Sequence, residues 1–254
     1  MKISAAIITF NEERHIADAI DSVSWADEII VVDSESTDAT RDIAESLGAR
    51  VILKPWPGFS DQKQFATDSA KNDWVLSLDA DERVSDELRR EIEEFRGSGF
   101  TADGYKLPRL SFYMGRAIKH GGWYPDLQLR LFDRTKGRWN GAVIHESVTM
   151  REGSRVGMLK SHILHRTVEN ASEHQEMIAK RYAPLGAQKM LDEGRRTSHA
   201  KAVLSAAFSF LRSYFLKLGF LDGFPGFCIA YFAAHNTFLK HLLLLENQGK
   251  NGTG

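Results

Sequence analysis

The chain has 254 residues, enough for one large α/β domain with appendages or for two small ones. Apolar residues make up 43% and charged residues 26%, which excludes bulk disorder, and a formal net charge of −1 gives no whole-protein field for nucleic acid. Cys228 is the single cysteine; it excludes an intrachain disulfide and any zinc site built from several cysteines, and it fits a reducing, cytoplasmic setting.

Residues 3–8 form a continuous apolar run, the pattern of a strand buried on both faces and too short for a signal peptide. Asn11-Glu12-Glu13 then opens a predicted helix through about residue 23, with acids in its first turn. A second strand over 28–32 ends at Asp33. Ser36-Thr37-Asp38 caps a helix to about residue 47, where Gly48 stops it. A third strand covers 50–53, a helix about 61–71, a fourth strand 74–78, and another helix 85–96. Strand and helix alternate four times, which predicts a doubly wound, mostly parallel sheet, an α/β class of Rossmann-like type.

Beyond residue 100 the pattern changes. Strand-like runs at 105–110, 128–132 and 143–149, separated by glycines and aromatics, predict a small mixed or antiparallel extension. From about residue 169 the pattern is helical. The expected organisation is therefore 1–100 as an α/β half, 101–165 as mixed strands and 166–254 as a helical region. From Arg195 onward seven Lys or Arg residues face two acids, Asp222 and Glu246, in a stretch rich in Phe and Leu. Its longest uncharged run, 223–239, contains Pro225, Gly226, His235 and Asn236, which falls short of the roughly 20 apolar residues of a bilayer span. Two readings stay open for it: helices buried against the catalytic part or a second subunit, or helices lying on an anionic membrane face.

Ligands in open α/β sheets bind beyond the carboxyl ends of the strands. Three polar clusters fall there: Thr9-Phe10-Asn11-Glu12, Asp33 to Asp38, and Asp79-Ala80-Asp81-Glu82. A single strand-end aspartate is as readily a helix cap. Three clusters on one edge repel one another unless a cation or a hydrogen-bonding ligand intervenes. Asp79 and Asp81 are spaced to point the same way and to share a target, and their hard oxygens select Mg²⁺ or Mn²⁺ held jointly with substrate phosphates. Arg130 and Arg134 offer planar guanidinium groups for phosphate, with surface arginines as the plainer alternative. Trp123 and Tyr124 offer apolar faces for ligand stacking, although such aromatics are more often core. His162 and His165 read as structural. No G-x-G-x-x-G follows the first strand, and there is no P-loop, G-x-S-x-G or H-E-x-x-H sequence.

The chain resembles the family 2 inverting glycosyltransferases of GT-A fold, and within them the WaaE-like lipopolysaccharide core β-1,4-glucosyltransferase group. The resemblance rests on Ile7-Ile8-Thr9-Phe10-Asn11-Glu12-Glu13, on Val31-Val32-Asp33-Ser34 with Ser36-Thr37-Asp38 and Thr40, on Leu78-Asp79-Ala80-Asp81-Glu82, and on Gly141 with His145-Glu146. It covers roughly residues 1–150 well and the helical part loosely. It implies a UDP-sugar donor, glucose by preference. The acceptor it implies is a cell-envelope glycan or glycolipid, the lipopolysaccharide inner core by preference and otherwise a lipid carrier or another envelope polysaccharide. The setting it implies is cytoplasmic, with peripheral inner-membrane association and homo-oligomerisation left open. By the same resemblance Thr9, Asn11 and Glu12 line the nucleotide pocket, Asp33 accepts from the uracil imide, and Lys63 meets phosphate. Asp79 contacts ribose or metal, and Asp81 is the main metal ligand. Arg130 is the candidate for the donor pyrophosphate.

An inverting transfer needs one base for the acceptor hydroxyl. The family commonly supplies it from a Glu-Asp pair, which this sequence lacks in the expected stretch. Glu146 is the first candidate and Asp126 the second, with His145 joining the metal shell or positioning the acceptor. Three rival readings remain. A nucleotidyltransferase would carry a Gly-rich loop with Arg and Lys where this chain has Asn-Glu-Glu. A non-catalytic sugar-nucleotide module has no need of the Asp79/Asp81 pair. A glycosidase would need two carboxylates flanking a sugar bond.

Overall fold

A computed structural model describes residues 1–142, 146–168 and 170–251. The first half follows the predicted alternation. Strand β1 (Ile3–Thr9) leads to α1 (Ile16–Ser22), β2 (Glu28–Asp33), α2 (Thr40–Ser46), β3 (Arg50–Leu53), α3 (Phe59–Asp68) and β4 (Trp74–Asp79). The four strands pair in parallel in the order β3-β2-β1-β4. Strand β1 is central and buried throughout, as its unbroken apolar run requires. Its side chains alternate between faces. Ile3, Ala5 and Ile7 join the core with Ile16, Ile20 and Leu88, while Ala6 and Ile8 join Ala66, Ala70 and Val75 on the other face.

The helices α1 and α2 begin later than the sequence predicts. Asn11 takes a left-handed conformation (φ 53°), which Asn tolerates better than most residues, so the chain turns before the helix starts. Asp38 accepts from the backbone and hydroxyl of Thr40, which moves that helix start to Thr40. The next helix, α4 (Asp86–Ser98), is capped by the Ser85 hydroxyl, which accepts from Leu88 N–H.

Short strand β5 (Glu82–Val84) precedes α4, and β6 (Gly104–Tyr113), β7 (Arg116–Ala117), β8 (Asp126–Asp133), β9 (Gly137–Trp139), β10 (Val148–Met150), β11 (Val156–Met158) and β12 (Ile163–Val168) follow it. Strand β8 pairs antiparallel with β4 and with β6, and the sheet continues through β12 to β5. Strands β9 and β10 form a separate antiparallel pair. The fold is thus a mixed sheet, parallel at one side and antiparallel at the other, as expected of a GT-A architecture. Of the strand predicted over 143–149, residues 143–145 lie outside the described residues, and the described part is β10. The three-residue strands carry too little periodicity to be read from sequence.

The chain divides into two compact units, Met1–Leu110 with Asp126–His165, and Ser111–Pro125 with Arg166–Gly254. The second holds α5 (Ala171–Met177), α6 (Ala183–Asp192), α7 (His199–Leu211) and α8 (Gly223–Asn251), with π-helical turns at Ile178–Tyr182 and Arg212–Leu216. Within it, Asp222 is buried and accepts from the backbone N–H groups of Lys119 and His120 and faces His120 Nδ1 at 2.9 Å. Gly226 is obligatory, because a Cβ there would lie 1.9 Å from the Gly219 carbonyl oxygen.

His174 is enclosed by aromatic rings, 4.3 Å from Phe232, 5.4 Å from Tyr113 and 6.1 Å from Trp123 between centroids. Burial pushes its pKa down from 6.5 to about 4. The unfolded chain therefore takes up this proton first. The stability contributed by neutral His174 is complete above pH 6.5 and is lost as the pH falls towards 4. The expected loss is about 2 kcal/mol. Melting temperatures at about pH 7 and about pH 4.5 check this: the difference between them narrows in His174→Phe, and an unchanged difference refutes it.

Candidate active site

The parallel register brings three strand ends to one edge, with Thr9 opposite Asp33 and Ile8 opposite Asp79. The loops that follow β1 and β2 are laced together. Asn11 N–H donates to Ser36 Oγ, and Asn11 Oδ1 accepts from Thr37 N–H, both at 2.8 Å. Glu12 N–H donates to Thr40 Oγ1 at 2.8 Å, while the Glu12 carboxylate faces His15 Nδ1 at 2.7 Å. Asp33 is fully buried, and both its oxygens already accept from Ser36, one from the N–H and one from the hydroxyl. A nucleobase imide would share an oxygen with Ser36 or displace its hydroxyl.

Beside these loops runs an alternating chain of buried and half-buried charges. Lys63, on α3, is 2% exposed and straddles Asp79, 3.0 Å from Oδ1 and 3.1 Å from Oδ2, with its hydrogen bond directed at Oδ2. The same Nζ lies 3.2 Å from Glu146 Oε1 and 5.1 Å from the Trp139 ring. Arg130, on β8, places Nη2 3.2 Å from Asp79 Oδ2 and 3.1 Å from Glu82 Oε1. Arg109, on β6, continues the chain from Glu82 Oε1 at 3.0 Å to Asp126 Oδ2 at 2.6 Å. Burial alone would raise the Asp79 pKa, but Lys63 and Arg130 overcome it and hold the carboxyl well below the usual range. Burial likewise opposes the charge on Arg130 and Arg109, and the neighbouring carboxylates keep both firmly protonated.

Asp81 stands apart from that chain. It lies in the turn between β4 and β5, and its Oδ2 is 3.1 Å from His165 Nε2. The antiparallel pairing of β5 with β12 causes this approach by setting His165 opposite Glu82. His165, expected to be structural, thus belongs to the site, as do Glu82 and Arg109. Arg109 shares the strand-like run 105–110 with a second cation, Lys106, so nothing in the sequence singled it out. Arg134 falls at the opposite edge of the sheet, where its Nε donates to the Asn72 carbonyl, so it is not a phosphate ligand of this site. Trp123 lies in the second unit against Tyr113 and His174, the core role that was its plainer reading. His145 lies outside the described residues.

Five buried polar atoms of this edge have no hydrogen-bond partner among the described residues: Thr9 Oγ1, Gln62 Oε1, Asp79 Oδ1, and Arg130 Nε and Nη1. Elsewhere in the described chain there are three, on Arg41, Arg50 and Asn236. Unsatisfied donors and acceptors concentrated in one place mark where a polar ligand completes the bonding. Among the described residues, no group of three or more His, Cys, Asp or Glu could hold a metal unaided. The donor set nevertheless fits Mg²⁺ or Mn²⁺, which commonly take one or two carboxylates and complete their shell with water and substrate phosphates. Asp81 is the better placed oxygen donor, since Asp79 is already neutralised by two cations.

Residues 4–152 match the protein family described as glycosyl transferase family 2. The chain belongs to that family. This glycosyltransferase is 34% identical to an uncharacterized glycosyltransferase of Rickettsia bellii, over 96% of its own length and 86% of that protein. It is 28% identical to the lipopolysaccharide core biosynthesis glycosyltransferase LpsC of Rhizobium meliloti, over 96% of its own length and 94% of LpsC. Among solved structures, S. aureus TarS 1–349 superposes with a TM-score of 0.49 at 15% identity, covering 99% of this chain and 92% of that one. The GT-A assignment follows from the family match and the strand order.

The charge chain has a stability consequence. Glu82→Ala leaves Arg130 and Arg109 without their shared buried partner and is expected to cost about 3–5 kcal/mol in urea unfolding. Glu82→Gln, which keeps hydrogen-bonding oxygen, costs less. Equal stability of wild type and Glu82→Ala would show the chain to be energetically idle.

Proposed function

We propose that this glycosyltransferase is a metal-assisted, inverting enzyme that moves a hexose from a UDP-sugar to a hydroxyl of a cell-envelope glycan of the lipopolysaccharide inner-core type. The observation that carries the reading is the strand-edge constellation itself. Asp81 Oδ2 and His165 Nε2 lie 3.1 Å apart, two residues along the chain from the Lys63–Asp79–Arg130 cluster, in which Asp79 Oδ1 and Arg130 Nε and Nη1 have no hydrogen-bond partner among the described residues. The core-glycan acceptor is supported by the name and near full-length match of LpsC, and glucose by the resemblance drawn from the motifs.

In this reading Thr9 Oγ1 and the laced Asn11 and Glu12 loop hold the nucleoside, with Asp33 accepting from the base. Arg130 Nε and Nη1 are the free donors for the diphosphate, and Lys63 sets the local potential by holding Asp79 ionised. Asp81, His165 and His145 are the groups that would hold Mg²⁺ or Mn²⁺, which neutralises charge on the departing diphosphate. Glu146 acts as the base. Its one contact among the described residues is Lys63 at Oε1, which leaves Oε2 available for a proton from the acceptor hydroxyl. Asp126 is less suited, because Arg109 engages its Oδ2 and Gln128 its Oδ1, which leaves neither oxygen open to a proton from the acceptor.

Thermal shift with a panel of UDP-sugars and Mn²⁺, followed by transfer assays, tests this. Asp81→Ala is expected to lose metal-dependent UDP stabilisation. Glu146→Gln keeps UDP stabilisation and loses transfer by about 10²–10⁴-fold. Asp126→Asn retains most of the transfer activity. No stabilisation by any UDP-sugar with or without metal would overturn the donor assignment, and full transfer in Glu146→Gln would move the base elsewhere.

A further inference from the structure

The helical unit carries an apolar surface that the proposed chemistry does not use. On α7 and the turn after it, Leu204, Phe208, Leu211 and Phe215 recur at helical spacing and are 50–69% exposed. Phe220, in the short 3-10 turn Gly219–Asp222, and Phe224, Phe227 and Tyr231, at the start of α8, repeat the same spacing and are 40–65% exposed. Ring contacts join the two stripes. Tyr214 lies 6.2 Å from Phe220 and 5.8 Å from Phe227, and Phe210 lies 5.7 Å from Phe227. Leu216, at the tip between the helices, is 71% exposed. A monomeric soluble protein rarely leaves so contiguous an apolar surface uncovered.

The charge around the patch selects its partner. Between Arg196 and Lys240 the single acid is Asp222, which is buried against Lys119 and His120. Lys201, Arg212 and Lys217 on the same stretch, and Arg116 beside the tip, are all exposed. The patch is therefore apolar, fringed by cations and free of exposed carboxylate. A second copy would bring like charge against like, whereas an anionic lipid surface is complementary in both respects.

No single described helix is long and apolar enough to cross a membrane. The segments His199–Leu216 and Gly219–Gln248 meet the length and hydropathy requirement together, but they are bent by 68° at their junction. Arg212 and Lys217 lie at that bend, where a spanning geometry would set them deep in hydrocarbon and an interfacial one leaves them at the headgroups. We propose that this face seats the enzyme on an anionic bilayer as a monotopic anchor, with the bend between α7 and α8 inserted to headgroup depth. This goes beyond the proposed transfer reaction and does not depend on it.

Vesicle co-sedimentation of the full chain tests the proposal independently of catalysis. Wild type is expected to bind phosphatidylcholine vesicles containing about 30% phosphatidylglycerol, to release at about 0.5 M salt, and not to bind pure phosphatidylcholine. Arg212→Ala/Lys217→Ala is expected to weaken binding about thirtyfold, from the usual contribution of each basic residue at an anionic surface. Leu216→Glu/Phe224→Glu, at exposed positions that leave folding by circular dichroism and UDP stabilisation unchanged, is expected to abolish it. Equal binding to neutral vesicles, no binding to either kind, or unchanged binding in both variants overturns the proposal. So does a wild-type dimer in sedimentation equilibrium that Leu216→Glu/Phe224→Glu dissociates.

Discussion

Asp79 must stay ionised in a half-buried place, and the surrounding structure is arranged to allow it. An isolated carboxylate there would take up a proton. Lys63 and Arg130 prevent that, but each of them is itself buried and needs a second carboxylate. Glu146 and Glu82 supply those, Arg109 neutralises Glu82, and Asp126 closes the series at the more solvated end. The partners come from α3, β4, β5, β6 and β8 and from the segment after β9. The mixed sheet is what brings them side by side, since antiparallel β8 and β6 deliver arginines to an edge that parallel strands furnish with acids.

That arrangement explains how the two halves of the Asp-Ala-Asp triplet diverge. Asp79 ends a strand and is absorbed into the ion-pair series. Asp81, two residues on, has left the strand and faces His165. The turn between them separates an electrostatic organiser from a carboxylate whose one side-chain partner among the described residues is His165. A surplus of carboxylate over cation remains at this edge, which is the condition under which a divalent ion is welcome.

The parallel half of the fold was legible because its strands are buried on both faces and read as apolar runs such as 3–8 and 74–78, with caps and glycines between them. The strand-end acids were legible for the same reason: a strand boundary fixes which residues reach the edge. Much of the antiparallel part was not. Strands as short as Glu82–Val84 and Val156–Met158 have no period to detect, and their existence depends on distant partners. His165 could be seen as a histidine but not as a neighbour of Asp81, because 84 residues of chain separate them. Lys63 in sequence is one lysine on a polar helix, and only the packing of Trp139 and β4 around it makes it buried.

Helix α3 has a mechanical consequence. Its inward face is polar, and each residue reaches a different element. Ser60 accepts from Gly141 N–H, Gln62 donates to Ser34, Lys63 bridges Asp79 and Glu146, Gln64 accepts from Trp139 N–H, and Thr67 faces the Trp139 indole N–H. Ala66 of the same helix packs among the apolar side chains of β1 and β4, but the directional bonds mean that α3 cannot slide or roll without breaking several at once. Any displacement of the stretch around Trp139 and Glu146 must therefore carry α3 with it, and α3 in turn carries Ser34. The segment beside the candidate base and the loop beside the candidate nucleotide pocket are linked like two ends of one lever, with Lys63 at the fulcrum.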